Sequence, residues 1–312
     1  MSGTATVGRG SRAERRVIDG VVLLDKPAGI TSQAAVAAVR RLFQAAKAGH
    51  TGTLDPLATG LLPICLGEAT KFSHFLLEAE KAYLASIRLG LTTTTGDLEG
   101  AVVERKPVTV TRRDLESVLE RFVGAIQQVP PMYSAIKHEG QRLYKLARAG
   151  HVVERAPREV FISRLTVVSF AGEELTVSAT CSKGTYVRVL AEDIGRELGC
   201  GGCLSALRRE AVGGFRLSQG AVTLAQLEAL EDAERKALLL PVDALVASLP
   251  SLDLDAGEAQ RLMQGRRVER PAAGPAGRAR VYGPGREFLG VVEVENPGVM
   301  MPQRLKSQAG VA

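Results

Sequence analysis

Tryptophan is absent from this chain and aromatic residues make up only 4% of it, so each tyrosine or phenylalanine in a suspicious place deserves a question. Four cysteines, Cys65, Cys181, Cys200 and Cys203, are too few and too scattered for a disulfide framework in a sequence of 312 residues. Cys200-Gly-Gly-Cys203 has the spacing of half a zinc site, but the other two cysteines stand in strand-like runs. His74, His138 and His151 keep no ligand spacing with one another, and no metal is expected. Long apolar runs are missing as well. The first, Val21 to Leu24, stops after four residues, and nothing later approaches the ~20 apolar residues of a membrane helix. These absences predict reduced thiols and a soluble, cytoplasmic chain with no membrane partner.

What is present is a 45% apolar sequence long enough for one large core and a second, smaller one. The net charge of +6 favours a polyanionic partner, although many basic proteins bind no nucleic acid.

The densest clue is Gly49-His50-Thr51-Gly52-Thr53-Leu54-Asp55-Pro56-Leu57-Ala58-Thr59-Gly60 and the run that follows to Ile64. Glycines, prolines and threonines surround one carboxylate and one imidazole, which predicts a sharply turned, mostly apolar loop leading into a buried strand. Pro56 pushes Asp55 toward extended backbone, and the glycines permit close approach by another chain segment or a ligand. On pattern alone, Asp55-Pro56 also fits a simple turn opener.

In chain order, residues 1–16 lack periodicity and are expected to be a disordered basic leader. Val21–Asp25 predicts a strand, and Ser32 an N-cap for a helix with Val36, Val39 and Phe43 on one face. Leu61–Leu66 should be a buried strand and Ala69–Leu77 a short helix. Alternation from Tyr83 to Leu89 marks a half-buried strand, ending in a polar loop, Thr92 to Asp97, that could approach the same cleft as Asp55. Thr111 should cap a helix bearing Leu115, Val118, Leu119 and Phe122. From 130 to 158, Lys137, Arg142, Lys145, Arg148, Arg155 and Arg158 interleave with Tyr133 and Tyr144, the mixture that grips phosphates and stacks bases; a solvated hairpin is the alternative. Two strands, Val160–Phe170 and Glu174–Cys181, precede a helix from Thr185 to Leu198, and Thr223-Leu-Ala-Gln226 forms a capping box. After Leu249-Pro250 the helical pattern gives way to short strand-like runs, with Pro271–Arg280 expected as a flexible loop. The pattern is that of an α+β fold.

The loop around Asp55 resembles the catalytic loop of the TruB family of tRNA pseudouridine synthases. Further segments resemble that family in the same order: Gly20 to Pro27, Lys81-Ala82-Tyr83, Pro131 to Lys137, Cys181 to Arg188 and Leu207-Arg208-Arg209. The resemblance is close over roughly residues 20–230 and looser toward the C-terminus. It implies a catalytic domain over 17–249 built on a mixed, mainly antiparallel sheet with flanking helices. It also implies an inserted thumb over 130–158 that closes on RNA, and a small β-barrel of the PUA type over 250–312, where Arg266 and Arg267 are candidate phosphate contacts. The activity implied is conversion of uridine to pseudouridine at position 55, in the TΨC loop of tRNA, by a monomer that needs no cofactor and no obligate protein partner.

By that resemblance Asp55 is the nucleophile on a flipped-out uridine. Whether it attacks ribose C1′ or uracil C6, or acts through a glycal, stays open. Tyr83 matches the residue that stacks on the base and helps remove the C5 proton, and Arg188 matches the partner that orients Asp55 by opposite charge. Tyr186 and Leu207 match positions lining the base pocket, and His50 one that contacts the flipped RNA. Lys26, Lys183 and Lys137 are expected to bind substrate, the first two by meeting phosphates. The rival readings are an RNA-binding protein without catalysis and a glycoside hydrolase or nucleosidase, which requires a second carboxylate opposite Asp55. Glu68 and Asp97 lie in other segments, and neither is a positioned partner on sequence grounds.

Overall fold

The computed structural model describes residues 15–134, 136–138, 140–270, 276–295 and 298–307, apart from the side chains of residues 137, 138, 142, 144 and 148. In chain order the strands before the C-terminal region are β1 (Gly20–Lys26), β2 (Ala48–His50), β3 (Thr59–Leu66), β4 (Lys81–Leu89), β5 (Leu91–Thr93), β6 (Val102–Arg105), β7 (Gly124–Gln128), β8 (Lys137–His138), β9 (Gln141–Arg142), β10 (Arg158–Ala171), β11 (Glu174–Cys181), β12 (Gly202–Val212) and β13 (Phe215–Arg216). Among the described residues nine of them form one sheet with the order β1-β3-β12-β4-β11-β10-β7, to which β2 and β13 add at β3 and β12. Only the β3–β12 pair is parallel. The helices are α1 (Ser32–Leu42), α2 (Ser73–Leu77), α3 (Arg112–Glu120), α4 (Leu143–Arg148), α5 (Val187–Glu197), α6 (Leu224–Ala229), α7 (Asp232–Ala237) and α8 (Ala256–Met263).

The period-two pattern of β4 turns Lys81, Tyr83, Ala85, Ile87 and Leu89 inward, as the sequence predicts. Ala35, Val36 and Val39 of α1, Leu115 and Leu119 of α3, and Leu190 and Ile194 of α5 share one buried cluster with these strands. β3 shows no alternation. Every residue from Gly60 to Leu66 is buried, because a second apolar cluster covers the opposite face.

That second cluster is a seam. Val21, Leu23, Leu61, Cys65 and Phe72 pack with Tyr282, Phe288 and Val291 from the C-terminal region. The C-terminal region is a curled half-barrel of β14 (Ser251–Asp253), β15 (Val268–Glu269), β16 (Gly277–Tyr282), β17 (Phe288–Glu295) and β18 (Val299–Leu305), in the order β14-β16-β17-β18-β15. It also has a core of its own around Leu262, Val292 and Met300. The loop expected over Pro271–Arg280 is partly strand, since β16 starts at Gly277; residues 271–275 lie outside the described residues.

Several local expectations shift. Thr31, not Ser32, caps α1, accepting from Ala34 N, because the Ser32 hydroxyl is drawn inward to the backbone of Leu54. The helix expected from Thr185 starts at Val187 with Tyr186 as its N-cap, since the Thr185 hydroxyl is held back by the Ser182 carbonyl. Ala69–Leu77 is a 3-10 turn (Gly67–Lys71) followed by α2. Of the leader, residues 1–14 lie outside the described residues, and Arg16 is already fixed by an ion pair to Asp232 at 2.8 Å. Thr111 caps α3 as expected, in a full capping box with Asp114, and the capping box expected at Thr223 is formed on α6.

Candidate active site

The loop carrying Asp55 is tied down on every side by buried polar groups. The Ser32 hydroxyl both accepts from Leu54 N at 2.7 Å and donates to Leu54 O at 2.9 Å, and Gly29 N donates to Pro56 O at 2.8 Å. The wholly buried Lys26 ammonium donates to Pro27 O and Ile30 O, each at 2.8 Å, and to Pro56 O at 3.4 Å. These three carbonyls use all three of its donors and leave none for the phosphate contact expected of Lys26, which here braces the Asp55 loop from within. Arg209, also fully buried, donates to Leu61 O at 2.8 Å and Gly52 O at 3.1 Å and fastens the loop to β12. Gly60 makes this approach possible; at its φ of 100°, a Cβ would stand 2.3 Å from Arg209 O.

Asp55 sits at the apex with a side chain 40% exposed, and its Oδ2 lies 3.0 Å from Nε of Arg188, which is only 7% exposed. The remaining edge of the guanidinium is enclosed. Nη1 donates to Thr95 O at 3.2 Å and lies 3.7 Å from the buried Asp97 carboxylate, and Nη2 donates to Tyr133 O at 2.8 Å. Asp97 is in turn fixed by Thr95 Oγ1 at 2.5 Å and Glu99 N at 3.1 Å. A guanidinium pinned between two carboxylates and two carbonyls cannot swing away from Asp55, so the orientation of the exposed carboxylate is set before substrate arrives.

Asp55 opens into a cleft of about 270 Å³ walled by Tyr83, Tyr186, Leu207, Lys183, Ser134 and Arg188, among others. That is just below the ~300–1,000 Å³ of drug-sized sites, enough for one base with its ribose and too little for a stretch of stacked strand. Burial pushes the Tyr83 phenol up, with the neighbouring Arg209 charge opposing the shift, and burial likewise pushes Tyr186 up. Both rings therefore present neutral hydroxyls at neutral pH. Lys183 stands at the rim, exposed and paired with Glu78.

His50 does not line this cleft. It ends β2, its Nδ1 accepts from Gly52 N at 3.2 Å, and burial lowers its pKa, with Arg209 adding to the effect. The Lys137 side chain lies outside the described residues. Two residues of the assembly, Asp97 and Arg209, carry no supporting role in the sequence reading. Asp97 was visible there as part of a polar loop and as a second carboxylate without a position. Among the described residues no three His, Cys, Asp or Glu side chains gather as a metal site, and no helix is long and apolar enough to cross a membrane.

Lys26 gives the site a measurable pH signature. Burial pushes its ammonium down from an ordinary 10.5 to about 8, against the attraction of Asp55. The unfolded chain holds this proton over the interval from about 8 to 10.5 in which the folded chain has released it, so this group makes the unfolding free energy rise with pH there. Buried thiols such as Cys65, pushed up to about 12, act in the opposite direction above 9.0, so a difference measurement is required. Urea unfolding of the wild type and of Lys26→Met should show the difference moving in favour of the wild type between about pH 8 and pH 10.5. A constant difference would mean that Lys26 keeps its proton.

With the geometry described, the chain can be compared with known proteins. Its fold matches the chain solved in a Cbf5-Nop10-Gar1 complex, with a TM-score of 0.70 at 24% identity over 92% of this chain and 85% of that one. The sequence places it more closely. Residues 40–187 match the N-terminal domain of the TruB family pseudouridylate synthases, 188–247 the tRNA pseudouridylate synthase B C-terminal domain, and 250–305 the C-terminal domain of pseudouridine synthase II TruB. Curated relatives named tRNA pseudouridine synthase B include one from Aromatoleum aromaticum, 54% identical over 96% of this chain and 97% of its own length. Another, from Methylobacillus flagellatus, is 53% identical over 95% and 98%. The fold and the matched domains define a pseudouridylate synthase. The chain belongs to the TruB family.

Proposed function

We propose that this chain isomerises uridine to pseudouridine at position 55, in the TΨC loop of tRNA, with Asp55 as nucleophile. The observation that carries the proposal is the single part-exposed carboxylate, held by a sealed arginine at 3.0 Å, in a cleft of nucleoside size. The reaction breaks the bond from C1′ to N1 and forms one from C1′ to C5. C5 loses a proton and N1 gains one, so no cofactor is required for balance. Such a reaction needs an anionic group at the sugar or base, a pocket that retains the freed uracil, and exclusion of water. Asp55 supplies the first, and Tyr83, Tyr186 and Leu207 line the second. Tyr83 stacks on the flipped base and helps remove the C5 proton in this reading; burial raises its phenol and the Arg209 charge beside it opposes that rise. Segment 130–158 acts as the thumb that closes on the stem-loop, with Lys137 and Lys183 toward phosphates and His50 toward the RNA outside the base pocket. A monomer acting without an obligate protein partner, in the cytoplasm, completes the proposal.

The hydrolase reading finds no support in the geometry. Asp97 is sealed behind Arg188 and does not line the cleft, and Glu68 is occupied by Ser307 N at 2.6 Å and Lys71 at the C-terminal seam. Incubation with a T-arm stem-loop transcript, followed by chemical mapping of pseudouridine, tests the proposal. Pseudouridine at the target uridine is the expected result. Bound RNA without product would leave an RNA-binding protein, and free uracil would indicate a nucleosidase.

A further inference from the structure

Helix α5, which carries Arg188 on its first turn, has no side-chain cap of its own: Tyr186 is the N-cap and makes no such hydrogen bond. A side chain from another element holds the N-cap residue itself. Gln128, nearly inaccessible at 2% exposure, accepts from Tyr186 N through Oε1 at 3.0 Å and donates from Nε2 to Tyr186 O at 3.4 Å. The Tyr186 N–H can only donate, so the orientation of the amide is fixed by its partner. A side-chain amide here imitates a strand partner for one residue, Tyr186, which lines the cleft two positions before Arg188.

Gln128 is also the last residue of β7, and its Cα partner across the ladder is Arg158, the first residue of β10. Segment 130–158 therefore leaves the sheet immediately beyond this amide and returns opposite it. The same segment supplies Tyr133 O to the Arg188 guanidinium at 2.8 Å, together with the buried Ser134 in the cleft wall. Both supports, one through the backbone of Tyr186 and one directly on Arg188, arise from the stretch of chain entering the insertion.

We propose that Gln128 is a positioning residue for the isomerisation, fixing Tyr186 and Arg188 to the root of the 130–158 segment so that Arg188 stays aligned on Asp55. The proposal rests on the function assigned above. It makes Gln128 act through Arg188 and on the rate of the chemical step, with no direct contact to substrate. Misplacement of a catalytic group by about 1 Å costs on the order of 10²-fold in rate, whereas RNA affinity, spread over many phosphate contacts, should hold.

The test uses full-length protein and a T-arm stem-loop labelled with tritium at C5 of uridine, since product formation releases that hydrogen to water. Gln128→Met keeps the volume and removes both hydrogen bonds; Gln128→Ala removes the volume as well. Single-turnover tritium release should fall about ten- to a hundredfold in both, with RNA affinity within about threefold of wild type. In an Arg188→Lys background, Gln128→Met should cost less than about threefold further, because residues acting as one unit are non-additive. A Met variant releasing tritium at the wild-type rate would overturn the proposal. So would a full additional loss on top of Arg188→Lys, an effect confined to RNA affinity, or loss of cooperative melting in both single variants, which would make Gln128 merely structural. Absence of tritium release from the wild type itself would instead overturn the assigned function.

Discussion

Asp55→Asn should lose turnover by about 10⁴-fold or more while binding a T-arm stem-loop almost normally. Asparagine keeps the size of the side chain and one oxygen able to accept from Arg188 Nε, so the contact now at 3.0 Å can persist, and Ser32, Gly29 and Lys26 hold the loop through its backbone or from beneath. What disappears is the negative charge and the nucleophile, which act only as the bond from C1′ to N1 breaks. Binding rests on contacts to phosphates and loses little. Single-turnover pseudouridine formation and filter binding on the same preparation separate the two effects. Turnover within tenfold of wild type would exclude Asp55 as nucleophile, and parallel loss of binding would mean that the carboxylate mainly shapes the loop.

The turned loop around Asp55 was legible in its glycines, prolines and threonines, but pattern alone left Asp55-Pro56 as a possible turn opener, and the role given to Asp55 rests on the resemblance. The strand carrying Tyr83 was legible because β4 alternates cleanly, while the role given to Tyr83 likewise came from the resemblance. The supports of the site were not legible, and the reasons are physical. Lys26 before a proline looks like a turn lysine facing solvent, and only the folded backbone shows three carbonyls converging on its ammonium. Arg208 and Arg209 are adjacent and chemically identical, yet strand parity sends one to Asp25 and solvent and the other into the core. That parity could not be read, since β12 carries bulges at Leu204/Ala206 and Arg209/Ala211 that break its alternation, and this central strand passed unrecognised. Arg188 was assigned by resemblance alone. Its environment comes from Thr95, Asp97 and Tyr133, segments whose meeting depends on the sheet order and on no local pattern. Gln128 lacked any signal, because a glutamine ending an edge strand is ordinarily solvated.

The C-terminal half-barrel follows the same logic on a larger scale. Read from sequence, a change of character near Pro250 suggests a module that can be cut away, leaving a folded enzyme with weaker hold on full-length tRNA. The seam argues against so clean a separation. The Phe288 ring packs tilted against Phe72 with centroids 5.2 Å apart, the Tyr282 hydroxyl donates to Asp243 at 2.6 Å, and Ser307 N reaches Glu68. Behind Phe72 lie Val21, Leu23, Leu61 and Cys65, one whole face of β1 and β3, and the other face of β3 supports the loop of Asp55. A chain ending at Pro250 would expose that face, and it should lose cooperative unfolding or melt far below the full chain, with activity falling in parallel. Phe288→Ala is the milder probe: truncating a buried phenylalanine costs about 3–5 kcal/mol. In that variant urea unfolding should shift by this amount, while pseudouridine formation well below the midpoint stays near wild type, since no cleft residue has been touched. A truncated chain that melts with the full one would show the seam to be dispensable, and the half-barrel would then be an appended RNA contact, with Arg266 and Arg267 as the side chains to test by the salt dependence of tRNA binding.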